Sequence, residues 1–199
     1  TDLSIKEYLE GSFEYLAEMV FATEGTNRSN FSLVTDLEGM TVKLPLPFFK
    51  EQKESTKFKI NIDFDNDKEV AVLSYADHNL FLTMQEREIT NGAIALSGSL
   101  PQKNLPHDSG IVVGRMQSMN LVEYLDFISD SKSLGIPWEL RDLQIGQVKF
   151  RDLALQEVTA NGKLGSLSTK VEIQSRGVDG IIEIEKAGNI NVDLARLNF

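Results

Sequence analysis

The 199-residue chain contains no cysteine, and that absence removes three kinds of chemistry at once. A disulfide framework, a thiol nucleophile and a thiolate metal site all need the missing side chain. His78 and His107 are the only imidazoles, too few for a multi-histidine metal centre. Positive charge is scarce as well: 20 Lys and Arg stand against 30 Asp and Glu, for a formal net charge of −10. A nucleic-acid binder concentrates cations opposite phosphates, so the balance argues against that partner. Long apolar runs are missing too. The longest, such as Gly110-Ile-Val-Val-Gly114, fall far short of the roughly 20 residues a membrane-spanning helix needs. No basic stretch leads into an apolar run at Thr1, so no signal peptide is expected there. The start without Met, and the end on Asn198-Phe199 straight after a strand-like alternation, lead us to expect a piece of a longer or processed chain.

What the chain does have is apolar residues, 41% of the total, arranged mostly with period 2. The clearest run is Lys57 to Asp65, with Phe58, Ile60, Ile62 and Phe64 on one face and Lys57, Lys59, Asn61, Asp63 and Asp65 on the other. Such alternation builds a half-buried strand with one dry and one wet face. Turn residues at Asp65-Asn-Asp-Lys68 and Asp77-His-Asn79 separate it from further strands over Glu69 to Tyr75, Leu80 to Glu86 and Thr90 to Leu100, which together read as a meander. The C-terminal part repeats the habit. Strands are predicted over Trp138 to Phe150, Leu153 to Ala160 and Leu167 to Gln174. Ile182 and Ile184 then alternate with Glu183 and Glu185, a turn is predicted at Ala187-Gly-Asn189, and Ile190, Val192 and Leu194 alternate with Asn191 and Asp193. Two segments depart from this. Leu3 to Glu10 reads as a short helix, and so does Asn120 to Asp130, where Leu121, Tyr124, Leu125 and Ile128 share a face behind Asn120 as N-cap. The expected fold is therefore all-β, with antiparallel meander sheets and one or two short packing helices. The second helix would mark a seam between two β layers, dividing the chain into 1–116, 117–137 and 138–199, with one continuous domain as the alternative.

Constellations that carry chemistry are weak. His78, beside Asp77, and His107, beside Asp108, both read as solvated turn residues without a nucleophile in reach. Asp63, Asp65 and Asp67 have the spacing of a calcium loop, but Lys68 and Ser74 stand where that loop needs glycine and glutamate. Asn161-Gly-Lys-Leu-Gly165 lacks the frame of a phosphate loop and reads as a hairpin turn. Asp126 and Asp130 share a helix face as exposed acids commonly do. No catalytic role, metal or cofactor is expected. The apolar strand faces remain, either as an ordinary sandwich core or as an open groove for hydrocarbon chains.

One stretch has a recognisable pattern. Thr35, Asp36, Leu37 and Gly39 form Thr-Asp-Leu-x-Gly, followed by Leu44-Pro45-x-Pro47 and Lys50. Downstream come Asn91-Gly-Ala-Ile-Ala-Leu-Ser-Gly98, Gly110 to Arg115, a short helix after Asn120, Leu143-Gln-Ile-Gly and Phe150-Arg-Asp-Leu153. In this order the chain, from about Leu9 onward, resembles the YhdP family of large AsmA-like proteins of Gram-negative bacteria. The resemblance implies a strand within Gly11 to Phe21, a periplasmic location, and an inner-membrane anchor outside these residues. It also implies a curved β-sheet with an apolar groove that serves phospholipid transport towards the outer membrane. The implied partners are phospholipid acyl chains and neighbouring repeats of the same full-length chain, with Phe58, Ile60, Ile62, Phe64, Ile182, Ile184, Ile190, Val192 and Leu194 as groove candidates. The competing expectation is a structural or partner-binding spacer without lipid contact.

Overall fold

A computed structural model describes residues 5–23, 28–65, 68–100, 105, 107–124, 135–165, 168–185 and 189–197. The alternating runs become strands, fourteen among the described residues. In chain order they are β1 (Leu9–Gly11), β2 (Leu16–Val20), β3 (Ser29–Thr35), β4 (Met40–Val42), β5 (Phe58–Asp65), β6 (Lys68–Tyr75) and β7 (His78–Gln85). They continue as β8 (Glu88–Leu96), β9 (Gly110–Asn120), β10 (Trp138–Phe150), β11 (Leu153–Leu164), β12 (Ser168–Gln174), β13 (Val178–Glu185) and β14 (Ile190–Leu197). Twelve form one sheet in the order β14-β13-β12-β11-β10-β9-β8-β7-β6-β5-β3-β2, and β1 pairs with β4 in a small second sheet. The fold is all-β, as the alternation predicts. No described helix is long and apolar enough to cross a membrane.

The sheet is mixed, which corrects the purely antiparallel expectation. β9 runs parallel to both β8 and β10, while the remaining pairs of the sheet are antiparallel. Parallel neighbours need crossover connections, supplied by residues 97–109 and 121–137. Gly110, Ile111 and Val112 are buried in succession, so both faces are covered at the start of β9, as is usual where strands run parallel. The seam expected at 117–137 is therefore not a break between two layers. It is a crossover within one continuous sheet, and β9 itself reaches Asn120.

The crossover opens with a helical turn over 121–124. Asn120 caps it: Val122 N donates to Asn120 Oδ1 at 3.2 Å, and Asn120 Nδ2 donates to Glu123 Oε1 at 2.8 Å. The rest of the expected helix, with Asp126 and Asp130, lies outside the described residues. So do the centres of the expected turns at 66–67 and 187–188, including Asp67. At the N-terminus a 3-10 turn, Ile5–Tyr8, stands where a helix was read and gives way to β1. β2 lies within the Gly11 to Phe21 strand implied by the resemblance. Asn161 to Leu164 form the end of β11 rather than a turn. Gly162 is there for close approach, since a Cβ would come within 2.2 Å of the Lys170 carbonyl on β12.

The Thr-Asp-Leu-x-Gly block has a local explanation. Thr35 Oγ1 donates to Glu14 O at 2.6 Å and accepts from Leu37 N at 3.0 Å, while Glu38 N donates to Asp36 Oδ1 at 3.0 Å. These bonds hold Leu37 in a left-handed conformation (φ 55°) and turn the chain sharply from β3 into β4. Leu37, Met40 and Val42 form a small core against Leu9, Phe13, Leu44, Phe58 and Tyr75. Lys50 is 1% exposed, and its ammonium donates to the carbonyls of Met40 (2.7 Å) and Glu51 (2.9 Å). The lysine thus fastens the end of the proline-rich loop to the root of β4. That loop contains a cis peptide bond between Leu46 and Pro47.

Candidate apolar binding face

Residues paired in register share a face of the sheet, so the pairings convert period-2 alternation into rows that cross strands. One row is uninterrupted across all twelve strands. It runs through Ala17, Leu33, Ile60, Leu73, Leu80 and Ile94, then Val112, Leu140, Gly162, Val171, Ile182 and Val192. Every position is apolar. A second row on the same face runs through Met19, Phe31, Ile62, Ala71, Leu82 and Gly92, then Gly110, Trp138, Leu164, Thr169, Ile184 and Ile190. Its one polar member is Thr169. The two glycines make room for the tryptophan: a Cβ at Gly110 would fall 2.3 Å from Trp138 Cε3, and one at Gly92 2.9 Å from Cη2. The indole therefore lies across two neighbouring strands.

The nine residues singled out by alternation all belong to this face. Phe58, Ile60, Ile62 and Phe64 lie on β5. Ile182 and Ile184 pair with Val192 and Ile190 across β13 and β14, and Leu194 pairs with Gly180. The side chains of Ile184 and Ile190 lie outside what the structure describes. The two groups do not touch, because seven strands separate β5 from β13. Their surroundings also differ. Phe58 packs into the small core, and Ile182 packs against the main one. Ile60, Ile62 and Phe64 are half-buried, whereas Val192 is 55% and Leu194 43% exposed. Reading single strands missed the intervening members, Leu73, Leu80, Ile94, Val112, Leu140 and Val171. Each is an apolar member of its own strand, but only register shows that they join.

Coverage of the face varies along the sheet. Over β8 to β12 it forms the main core, with Leu96, Val112, Met116, Trp138, Leu143, Ile145, Val158, Ala160 and Ile173 buried. Two straps lie over its margin. Phe48, from the proline-rich loop, and Tyr124, from the crossover, both pack against this core. They are tied together, since Tyr124 OH donates to Leu46 O at 2.7 Å and Tyr75 OH donates to Phe48 O at 2.9 Å. Burial pushes both phenols up to about 12, with Glu54 and Glu123 adding smaller upward effects on Tyr75 and Tyr124 respectively. His78 belongs here, not in a solvated turn. It is 8% exposed, takes the edge of the Phe48 ring at a centroid distance of 5.2 Å, and accepts a hydrogen bond from Ser97 N at Nδ1 (3.1 Å). His107 is the exposed turn residue expected, 3.0 Å from Asp108. Towards β2 and β14 the face opens, and Met19 is 50% exposed.

The opposite face is polar at both ends. Glu18, Ser32 and Asn61 form one end of a row, and Glu139, Lys163, Lys170, Glu183 and Asn191 form the other, with Val72, Phe81, Ala93 and Ile111 between them. Asp63 and Asp65 lie on this side, bonded by Asn30 Nδ2 at 2.6 Å and paired with Arg28 at 3.5 Å. Hydrogen bonding to Arg141 holds the Glu139 carboxyl below its usual range, and hydrogen bonding to Glu183 holds the Lys170 ammonium above its own. These exposed pairs contribute little to stability but keep this side wet.

The class is thus defined: a strand-built protein organised on one broad sheet, with an apolar face carried from edge to edge and a polar face behind it. Residues 1–199 match the family described as YhdP protein, and the chain belongs to the YhdP family. No curated protein and no solved structure gives a match.

Proposed function

We propose that this chain is a section of an AsmA-like envelope protein that carries phospholipid between the inner and outer membranes, with acyl chains resting on the apolar face. The observation that carries this reading is the unbroken apolar row across twelve strands. At about 4.8 Å between strands the row is about 53 Å long, against roughly 15 Å for one leaflet of a bilayer's hydrocarbon. Several acyl chains would fit end to end. Each methylene removed from water gains about 0.8 kcal/mol, so a continuous dry strip lowers the barrier to crossing an aqueous gap. The task is binding rather than catalysis. The reading places the section in the periplasm, with the membrane anchor elsewhere in the full-length protein. Neighbouring repeats would continue the strip at β2 and β14, whose outer edges have no strand partner among the described residues.

The covered stretch over β8 to β12 favours a second reading, a spacer that holds the envelope protein extended without lipid contact. Native mass spectrometry of the purified chain separates the two. The transport reading expects co-purified phospholipid that is lost in Ile60→Asp and Leu73→Asp but kept in Asn61→Asp, on the other face. A lipid-free wild type, or equal retention by all three variants, would favour the spacer.

A further inference from the structure

The polar face is interrupted at one place. Ser97, just beyond β8, Gly114 on β9 and Asp142 on β10 all have left-handed backbone, with φ of 56°, 113° and 48°. They sit side by side: Leu96 pairs with Gly114, and the β9–β10 register shifts between Leu140 and Gln144, bringing Gln144 opposite Arg115. The glycine is required, since a Cβ there would come within 2.2 Å of the Leu96 carbonyl. Left-handed backbone at neighbouring points of three adjacent chain segments, with a bulge among them, is an arrangement by which sheets re-aim side chains at binding sites. Here it opens a cleft of about 550 Å³.

The cleft has more donors than acceptors. Arg115 Nε and Nη2 both donate to Gln144 Oε1, at 3.0 and 2.7 Å. Those bonds orient the guanidinium and, among the described residues, leave three of its five N–H groups and both of the Gln144 NH2 hydrogens unspent. Among the described residues no carboxylate pairs with Arg115, although the chain as a whole is strongly acidic. Arg141 also lines the cleft and spends one N–H on Glu139 at 2.8 Å. The acid in the lining, Asp142, accepts from Asn161 Nδ2 at 3.3 Å. A fork-shaped cation oriented beside further N–H donors matches a tetrahedral anion with several acceptor oxygens.

We propose that this cleft binds a phosphate group, with Arg115 as its principal ligand and Arg141 and the Gln144 amide beside it. The phosphate comes from a soluble ester or from a lipid headgroup. It is not the headgroup end of a chain lying on the apolar strip, because Arg115 and Gln144 point away from Leu143 and Ile145. The proposal therefore stands apart from the transport reading.

The test is a titration of the ¹⁵N-labelled 199-residue chain with inorganic phosphate, at ionic strength held constant with chloride. Saturable shifts are expected at the amides of Gly114 and Arg115 and at the Arg115 Nε–H. Arg115→Gln should weaken binding by about tenfold or more, and Arg115→Lys should recover little of it because an ammonium lacks the fork. Both variants should keep the wild-type unfolding midpoint. Ile60→Asp, on the other face, should titrate like the wild type whether or not lipid binds there. Vesicles of phosphatidylglycerol and of phosphatidylcholine identify the source. Arg115-dependent flotation with either assigns a headgroup, and binding of phosphate or glycerol 3-phosphate without flotation assigns a soluble ester. Arg115→Gln binding phosphate as well as the wild type, or shifts spread over all surface cations, would overturn the proposal.

Discussion

Replacing Gly110 with alanine adds a single methyl group, yet the geometry around it makes the cost large. The new carbon would lie 2.3, 2.5 and 2.6 Å from Cε3, Cδ2 and Cζ3 of Trp138. Three ring atoms are met at once, so no small rotation of the indole relieves the contact. If the core gives way and the ring stays, overpacking costs about 1–3 kcal/mol. If the ring is expelled, the loss approaches the roughly 3–5 kcal/mol of a tryptophan removed from a core. Lower entropy of the unfolded chain returns about 0.4–1 kcal/mol. Because three ring atoms are met at once, expulsion of the ring sets the expectation: a net destabilisation of about 2–4 kcal/mol, read as a lower urea midpoint at unchanged slope. Trp138 is the chain's only tryptophan, so its fluorescence reports whether the indole stays in place. The decisive measurement is a double-mutant cycle with Trp138→Ala, followed by circular dichroism. With the indole gone, Gly110→Ala should cost almost nothing, a coupling of about 2 kcal/mol or more. Equal costs in both backgrounds would show that the glycine is needed for its backbone and not for the ring, and the reasoning would fail.

Other expectations follow from the small core and the straps. Lys50→Met should destabilise the β1–β4 lobe by about 1–3 kcal/mol, because the buried Met40 carbonyl and the partly buried Glu51 carbonyl lose their donor; amide exchange should accelerate at Met40 to Val42 and stay unchanged around Trp138. Tyr75 and Tyr124 have folded-state values near 12, above the ordinary phenol value near 10. Their contribution is therefore intact below pH 10 and is lost as pH rises from 10 to 12. Tyr75→Phe with Tyr124→Phe should flatten that part of the stability profile, and a 295 nm titration of the native protein should show delayed ionisation. Asn120→Ala should cost about 1 kcal/mol through loss of the helix cap, measured by urea unfolding.

The strands were largely legible because each depends on its own alternation. Lys57 to Asp65 separates dry from wet residues without any help from its neighbours. What joins strands was not legible. Gly110-Ile-Val-Val-Gly114 reads as a strand, but a run apolar on both faces does not say that the strand runs parallel to its partners. Asn161 to Leu164 contains the residues of a turn, and only the approach of β12 shows that Gly162 serves packing. His78 sits in a polar sequence, yet it is buried because Phe48, thirty positions earlier, folds back onto it. The nine groove candidates lie on one face of the sheet. Their membership of one row, and the inclusion of Phe58 in the core of the small lobe, depended on contacts distant in sequence.

The strand order has a consequence for assembly. From β6 to β14 each strand lies beside the one that precedes it in the chain. A sheet ordered in this way is nearly one-dimensional: closing one pair costs only a short loop, and each finished strand templates the next. A chain made from its N-terminus forward can zip strand by strand, never waiting for a distant partner. The long crossovers around β9 are the two places where this progress must pause. The same layout lets a sheet gain or lose hairpins at its ends without rerouting anything already built, so length can change in evolution independently of the fold.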